Sequence, residues 1–364
     1  MKRIYKIISL GMLLTLLSTN ITLMAGNDDR RGTAGAGELL INPWARSAGW
    51  GSVNTANGSG LDALFTNAAG LGRSIGTEFY FNYSHYLNNS DIGIIAVGLA
   101  QSLGDYGVLG LAVNSMSFGS IQRTTVNAPD PTGGTFKPSL MNIGVSFAKA
   151  FSSSIYAGVT LKLINEGIDN VTATGVGFDA GIQYVTGADY EIKFGIAMKN
   201  WGPSMSFSGD GLAIMSQVQD ASYRQTLEQR SLSWELPSSL NIGASYDFLF
   251  AEKEHRFTVA GNYESMAFAK DLYTLGIEYG FKNIFMIRCG YTYQDGVFND
   301  IYDARSGNSD KTNFTRGFAA GASVNAPIMK AKGDKRSKDL SIDYAYRTTA
   351  IMGGIHTVGI RLSL

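Results

Sequence analysis

Hydrophobic and polar residues alternate along most of the chain with a period of two. In the run 240–248, one face carries only apolar side chains and the other carries polar side chains or glycine. Successive side chains of a strand point to opposite faces, so this pattern predicts strands with one apolar and one polar side. The same alternation returns at 140–149, 190–198 and 340–347.

Fourteen segments of this kind follow residue 77. They are predicted at 78–87, 92–101, 107–117, 139–149, 154–165, 175–185, 190–199, 238–248, 256–265, 272–279, 284–293, 315–324, 339–347 and 356–364. Their length suits the roughly 9–11 residues with which a tilted strand crosses a bilayer. The predicted fold is therefore all-β, a transmembrane antiparallel β-barrel of about 14 strands.

The connections between these segments alternate in length. Short ones fall at 102–106, 150–153, 186–189 and 280–283, and long ones at 118–138, 200–237 and 294–314. Outer-membrane barrels have short periplasmic turns and longer extracellular loops. The long set is therefore predicted to be extracellular, and 150–153 and 186–189 periplasmic.

Two connections need separate interpretations. The link 325–338 falls on the short side, yet it is long and basic; it is interpreted as a solvated turn, with a contact surface as the alternative. Within 200–237, the stretch from Leu212 to Arg230 lacks glycine and proline. Its apolar spacing predicts a short helix over the extracellular mouth.

The start of the chain predicts export. Lys2, Arg3 and Lys6 precede an apolar core at 7–17, and Ala25 followed by Gly26 forms a small-residue cleavage site. These are the parts of a secretory signal peptide. The predicted division is a signal peptide at 1–25, an N-terminal plug segment at 26–76 and the barrel at 77–364, located in the outer membrane.

The segment 26–76 does not alternate like a strand. It is rich in Gly, Asn and Ala, and it is too short to form an independent core. We expect it to fold inside the barrel lumen, because wide barrels are often plugged. A mobile periplasmic tail is the alternative.

Composition supports a membrane location. The chain has 44 Gly and 37 Phe and Tyr, but only 16% charged residues, whereas soluble domains typically carry about 25%. A β-rich chain of this kind needs an apolar surrounding, which outer-membrane lipid supplies. Without the predicted signal peptide, 27 basic residues stand against 30 acidic ones, which gives no basic signature for nucleic acid.

The residues give little support for catalysis. Cys289 is the single cysteine, and the three histidines lie too far apart in sequence for metal-ligand spacing, so neither a metal nor a cofactor is expected. Alternation directs ten polar residues to the lumen: Lys162, Asp179, Glu191, Lys193, Asp247, Glu278, Arg288, Asp343, Arg347 and Arg361. Their carboxylates could form an acid/base pair, as in barrel-type hydrolases. Because no Ser-His constellation accompanies them, a paired-charge lumen without enzymatic activity is the interpretation.

Short motifs in family order carry a resemblance. Residues 42–51, NPWARSAGWG, resemble the GARAxGMGGA opening of the PorV/PorQ family of Bacteroidota outer-membrane proteins. Residues 61–71, LDALFTNAAGL, resemble the ASALYWNPAGL element shared with FadL-like barrels, which makes Asn67, Ala68, Ala69, Gly70 and Leu71 the plug motif. Further matches lie at 158–162, 178–181, 199–203, 236–237, 288–291 and 342–346. Two positions depart from the pattern: Ala68 replaces proline, and the chain ends on Leu364 rather than phenylalanine.

This resemblance implies a FadL-like barrel with a plug, acting in type IX protein secretion through contacts with the translocon and with secreted cargo proteins. The alternative function is a FadL-like channel for hydrophobic small molecules. A channel is expected to show a luminal pocket with apolar side chains and a gap in the wall. A secretion component is expected to show a plugged lumen and apolar loop tips.

Overall fold

A computed structural model describes most of the chain after the predicted signal peptide. The described residues are 30, 32–88, 90–124, 129, 134–217, 223–294, 317–330, 337–349 and 353–364. The predicted signal peptide at 1–25 lies outside them, as does nearly all of the predicted loop 294–314.

Eighteen strands lie within these residues. They are β1 Thr77–Tyr86, β2 Gly93–Ser102, β3 Val108–Ser117, β4 Ile121–Gln122, β5 Thr135–Phe136, β6 Ser139–Ala150, β7 Ile155–Ile168, β8 Val171–Thr186, β9 Ile192–Trp201, β10 Ala213–Gln217, β11 Arg224–Glu228, β12 Ser239–Phe250, β13 His255–Met266, β14 Leu272–Phe281, β15 Phe285–Gln294, β16 Gly317–Lys330, β17 Ser337–Arg347 and β18 Ile355–Ser363.

Fourteen of these strands form a closed antiparallel barrel. The hydrogen-bonded order runs β1–β2–β3–β6–β7–β8–β9–β12–β13–β14–β15–β16–β17–β18, and β18 pairs back to β1 with Phe79 opposite Leu362. Closure leaves no unpaired sheet edge, which a strand structure in lipid requires. The predicted fourteen-stranded barrel is confirmed, and each predicted segment corresponds to one barrel strand.

The period-two pattern sorts side chains between the two faces of the wall. On β1, Phe79, Phe81 and Tyr83 are exposed on the outside, whereas Tyr80 and Asn82 are buried in the interior. On β12, Ile242 is exposed and Asp247 pairs with Lys193 on the inner face. A continuous exterior of large apolar side chains is the surface of a transmembrane barrel.

Short and long connections lie at opposite ends of the barrel. The short-turn end of the barrel carries the links 103–107, 151–154, 187–191, 251–254 and 282–284. The long-loop end carries 118–138 and 202–238, together with the two-residue turn 169–170. β7 and β8 extend further than predicted, since Asp169 adopts a left-handed conformation (φ 53°) that closes this tight turn. Which end faces the cell exterior stays a prediction.

The predicted helix from Leu212 to Arg230 is wrong. The described part of this stretch forms the hairpin β10–β11, in which Ile214 pairs with Leu227 and Met215 with Thr226. A sequence without glycine or proline suits either structure. Pairing across the loop satisfies backbone hydrogen bonds, whereas the described side chains of both strands are almost all exposed and would give a helix little packing.

The predicted connection 325–338 is shorter than expected. β16 continues to Lys330 and β17 begins at Ser337, with a register shift between Pro327 and Met329 that accommodates the proline. Proline lacks a backbone N–H and is found at strand irregularities of this kind. Most of the basic residues of this link lie outside the described residues.

Candidate functional site

The lumen contains a folded part of the N-terminal segment. Residues 36–73 form the single-turn helix Ala45–Ala48 and the 3-10 turns Gly37–Leu40, Gly60–Phe65 and Ala68–Arg73. The ring of Trp44 stacks on the inward-facing Tyr80 of β1, with centroids 5.2 Å apart and planes 16° apart. Backbone N–H of Ala45 donates to Asn82 on the same strand, at 3.0 Å. The segment is thus tied to the inner wall.

Inward-facing glycines of the wall make room for this segment. A Cβ atom added at Gly195 would lie 2.3 Å from the carbonyl oxygen of Thr55, and one at Gly158 would lie 2.4 Å from that of Ala68. At Gly290 the carbonyl oxygen of Trp50 would be 2.5 Å away. Because backbone meets backbone at these points, any side chain would displace the segment.

The plug motif lies in this contact zone. Asn67 precedes the turn Ala68–Arg73, and its Oδ1 accepts the backbone N–H of Ala69 at 3.1 Å. Its Nδ2 donates to the carbonyl oxygens of Thr55 at 2.9 Å and of Ile182 on β8 at 3.1 Å. One side chain therefore caps a turn and fixes it to the wall. The rest of the motif, namely Ala68, Ala69, Gly70 and Leu71, is buried.

Ion pairs fill the lumen toward the short-turn end. The Glu278 carboxylate accepts from Arg288 at 2.9 Å and from Arg256 at 2.7 Å. Lys193 pairs with Asp247, which also accepts from Thr258 at 2.6 Å. A buried charge is tolerated only when it is paired and hydrogen-bonded. Four of these residues, Lys193, Asp247, Arg256 and Glu278, also border a polar cavity, the turn-end cavity, which has ≈ 690 Å³ of empty space, part of it open to solvent.

Two charged groups of the N-terminal segment complete this network. Asp62 accepts the backbone N–H of Ser47 at 2.8 Å and Nδ2 of Asn54 at 3.1 Å. Burial raises the pKa of the Asp62 carboxyl to about 6, and nearby Arg46 acts against that rise. The carboxylates surrounding Arg46, led by Glu278, keep the pKa of its guanidinium raised although burial alone would lower it.

Three other predicted luminal residues also point inward. Asp343 accepts from the Tyr80 hydroxyl at 2.9 Å, and Arg361 lies 3.9 Å from Glu78. Arg347 borders a second cavity at the long-loop end, with Lys199 as a neighbouring cation.

Lys162 and Asp179 form an ion pair at an irregularity of the wall. Their charged atoms are 2.6 Å apart, and Lys162 also donates to Oδ1 of Asn200 at 2.8 Å. Asp179 accepts the backbone N–H of Asn200 at 2.7 Å. The β8–β9 register shifts at the same point, between Phe178 and Ala180. A side chain thus replaces the ladder bond that the bulge removes.

Glu191 lies at the short-turn end of the barrel. It lies in the 187–191 turn, just before β9, and its carboxylate accepts the backbone N–H of Asp189 at 2.8 Å. Glu191 therefore stabilises a turn and takes no part in the luminal ion pairs.

An apolar cavity lies at the long-loop end of the lumen. It has ≈ 710 Å³ of empty space, part of it open to solvent. Its apolar lining includes Leu39, Ile41, Trp44, Leu64, Phe65, Ile94, Met116 and Leu140. Strands β2, β3 and β6 supply one wall and the N-terminal segment the other, so the cavity exists only where both are folded together.

Sequence reasoning missed the polar residues of this apolar cavity. Glu38, Asn114 and Asn142 line it, and Glu166 is buried on the neighbouring strand β7. The two asparagines have the inward parity of their strands, which was a usable signal. Glu38 belongs to the N-terminal segment, whose lack of periodicity offered none.

Metal-binding clusters and membrane-spanning helices are both absent from the described residues. No group of three or more His, Cys, Asp or Glu within them is placed to hold a metal ion. Within the same residues, no helix has the length and apolarity needed to cross a membrane.

Comparison with known proteins gives the fold relationship. No protein-family model matches the chain, and no curated protein matches its sequence. Among solved structures, the toluene transporter TodX of Pseudomonas putida is similar with 12% identity and a TM-score of 0.53, over 88% of this chain and 97% of that one. A FadL homologue of Pseudomonas aeruginosa is similar with 9% identity and a TM-score of 0.52, over 89% and 98%. The chain therefore has the fold of a FadL-like barrel.

Proposed function

We propose that this protein is an outer-membrane channel that takes up hydrophobic small molecules through the apolar cavity. The observation that carries the proposal is the cavity itself, because a largely apolar pocket with a few polar groups is the usual form of a small-molecule site. Similarity of fold to a toluene transporter supports the same reading. The proposal includes export by the segment 1–25 and an orientation with the long-loop end outside.

The N-terminal segment has a defined role in this proposal. Residues 26–76 act as a plug that closes the lumen to water and ions while forming one wall of the apolar cavity. The buried side chains from Trp44 to Leu71 and their contacts with inward glycines support that role. The ion-paired residues toward the short-turn end hold the plug in the wall.

Equilibrium dialysis with radiolabelled naphthalene tests the proposal. Leu140 borders the apolar cavity, so Leu140→Trp should fill it and weaken binding at least about tenfold, about 1.4 kcal/mol. Leu240→Trp is the matched control, because Leu240 is exposed on the outer face of β12. Equal binding by both variants and the unaltered protein would exclude the cavity as the site.

A second candidate is a component of type IX secretion, with a translocon and signal-bearing cargo as partners. The motif resemblance motivates it, and the long-loop end supplies a specific observation. Around the β10–β11 hairpin, Met215 is 72% exposed, Tyr223 63% and Leu232 91%. Exposed apolar groups at a loop tip suit protein contacts. Affinity capture from native membranes tests this candidate: a giant barrel or cargo supports it, and recovery of the barrel alone contradicts it.

A further inference from the structure

One side of the apolar cavity carries hydrogen-bond acceptors that have no donor. Oε1 of Glu38, Oδ1 of Asn114 and Oδ1 of Asn142 are all buried, and none has a hydrogen-bond partner among the described residues. Asn142 as a whole is 8% exposed. An unsatisfied buried polar atom costs roughly 1–3 kcal/mol. Three of them around one cavity therefore point to a group that is bound there.

The topology brings these acceptors together. Asn114 of β3 lies directly opposite Asn142 of β6 in the strand register, and both side chains face inward. Leu140 lies two residues before Asn142 on β6 and is opposite Glu166 of β7. A second carboxylate therefore lies close to the two asparagines on the wall. Glu38 approaches from the N-terminal segment and interacts with both Asn142 and Glu166.

Among the described residues, no cation is free to neutralise the carboxylates at this cavity. Lys162, the lysine that borders the cavity, is engaged by Asp179 at 2.6 Å and Asn200 at 2.8 Å. Within the described part of the chain, neither Glu38 nor Glu166 forms an ion pair with lysine or arginine.

We propose that the apolar cavity selects hydrophobic molecules that carry a hydrogen-bond-donating head group, an ammonium or a hydroxyl. The head group binds Glu38, Asn114 and Asn142, and the hydrocarbon part packs against Trp44 and Met116. A carboxylate head group is disfavoured because it would lie beside Glu38 and Glu166. This inference rests on the proposed function and narrows its substrate class.

The electrostatics of Glu38 agree with this selection. Burial, and next the charge of Glu166, raise the pKa of the Glu38 carboxyl to about 7. The cavity thus contains a carboxyl that accepts hydrogen bonds but has no cationic partner among the described residues. A bound ammonium would pair with Glu38 at pH 8, where the carboxyl is mainly ionised. At pH 5 the carboxyl is mainly neutral, so most of this attraction would be lost.

Four aromatic compounds of similar size separate the possibilities. Benzylamine, benzyl alcohol, toluene and benzoate compete with naphthalene for the purified full-length barrel at pH 8. We expect benzylamine and benzyl alcohol to bind about tenfold more tightly than toluene, since hydrogen bonds to charged groups contribute about 1.5–3 kcal/mol. We expect benzoate to bind most weakly, and the benzylamine preference to fall at pH 5.

Variants assign the preference to the acceptors. Glu38→Gln should reduce the preference for benzylamine over toluene about tenfold and leave toluene binding unchanged. Glu191→Gln is the matched control, because it removes one charge at the short-turn end and keeps an acceptor for the Asp189 N–H. Asn142→Ala should weaken benzyl alcohol but leave toluene unchanged.

The outcomes for the two proposals are distinct. Toluene binding as tight as benzylamine, benzoate binding tightest, or an unchanged preference in Glu38→Gln would overturn the inference and leave the channel proposal standing. If the folded barrel binds neither naphthalene nor toluene, the channel proposal itself fails.

Discussion

The two halves of the lumen come from the same alternating strands, but a buried carboxylate of one half has cationic partners and a carboxylate of the other half has none among the described residues. Toward the short-turn end, Glu278 lies between Arg288 and Arg256, and Lys193 is paired with Asp247. Toward the long-loop end, Glu38 has no cationic partner within the described residues and borders empty space. The first arrangement holds a structure together, whereas the second leaves its polar groups for a ligand.

The difference follows from what the N-terminal segment presents to each half. Its charged residues Arg46 and Asp62 lie among the ion pairs of the wall, where opposite charges offset the loss of hydration. Its apolar residues Leu39 and Leu64 lie opposite apolar strand positions without filling the space between. A ligand bound in the apolar cavity therefore need not disturb the ion pairs at the short-turn end.

The largest expected effect comes from removing the segment on which both halves depend. Deletion of residues 38–60 should convert a barrel with little conductance in planar bilayers into an open pore, because these residues fill the cross-section. Folded barrels are selected first by their shifted mobility in unheated gels. Equal conductance of the deletion and the full-length protein would show that the segment does not plug the lumen.

The next prediction compares one buried glutamate from each half. Glu278→Gln leaves Arg288, Arg256 and Arg46 without their shared counter-charge, and should lower the free energy of unfolding by about 3–5 kcal/mol. Glu166→Gln removes a carboxylate that has no ion pair among the described residues. This change should alter the free energy of unfolding by less than about 1 kcal/mol. Urea unfolding in lipid vesicles measures both. Similar losses would remove the contrast between the halves.

A matched pair of glycines tests packing in the same way. Gly195→Ala would press a methyl group against the Thr55 carbonyl oxygen, and overpacking of this kind costs about 1–3 kcal/mol. Gly144→Ala borders the apolar cavity, where the nearest atom is the Thr160 methyl carbon at 3.3 Å. Both changes alter strand preference alike, so their difference reports the contact. A Gly144→Ala protein as unstable as Gly195→Ala would indicate a collapsed cavity.

The last prediction is a pH dependence from Glu38. Its folded-state pKa of about 7 exceeds the ordinary glutamate value of 4.5, so between these pH values the folded protein retains a proton that the unfolded chain releases. The contribution of Glu38 to stability is therefore fully present below about pH 4.5 and is lost as pH rises through 7. Compared with Glu38→Gln, the unaltered protein should lose stability between pH 5 and pH 8. Parallel pH profiles of the two proteins would contradict the assignment.

The sequence by itself determined the wall. All fourteen barrel strands were predicted because alternation is a local property: a residue such as Ile242 faces lipid simply because it lies one position from Asn241. The same parity indicated inward positions for Asp247 and Asp343. The wrong prediction was the helix at Leu212–Arg230, where composition allowed both a helix and a hairpin.

Only the tertiary structure decided what the lumen contains. The residues that meet there, such as Glu38 and Asn142, or Thr55 and Gly195, are separated by more than a hundred positions and are brought together by closure of the barrel around a non-periodic segment. That three-dimensional fit decides which glycine contacts the backbone of the N-terminal segment. It also decides which carboxylate forms an ion pair with an arginine and where a cavity remains. No local pattern encodes them, because packing and the pairing of buried charges are properties of both surfaces together.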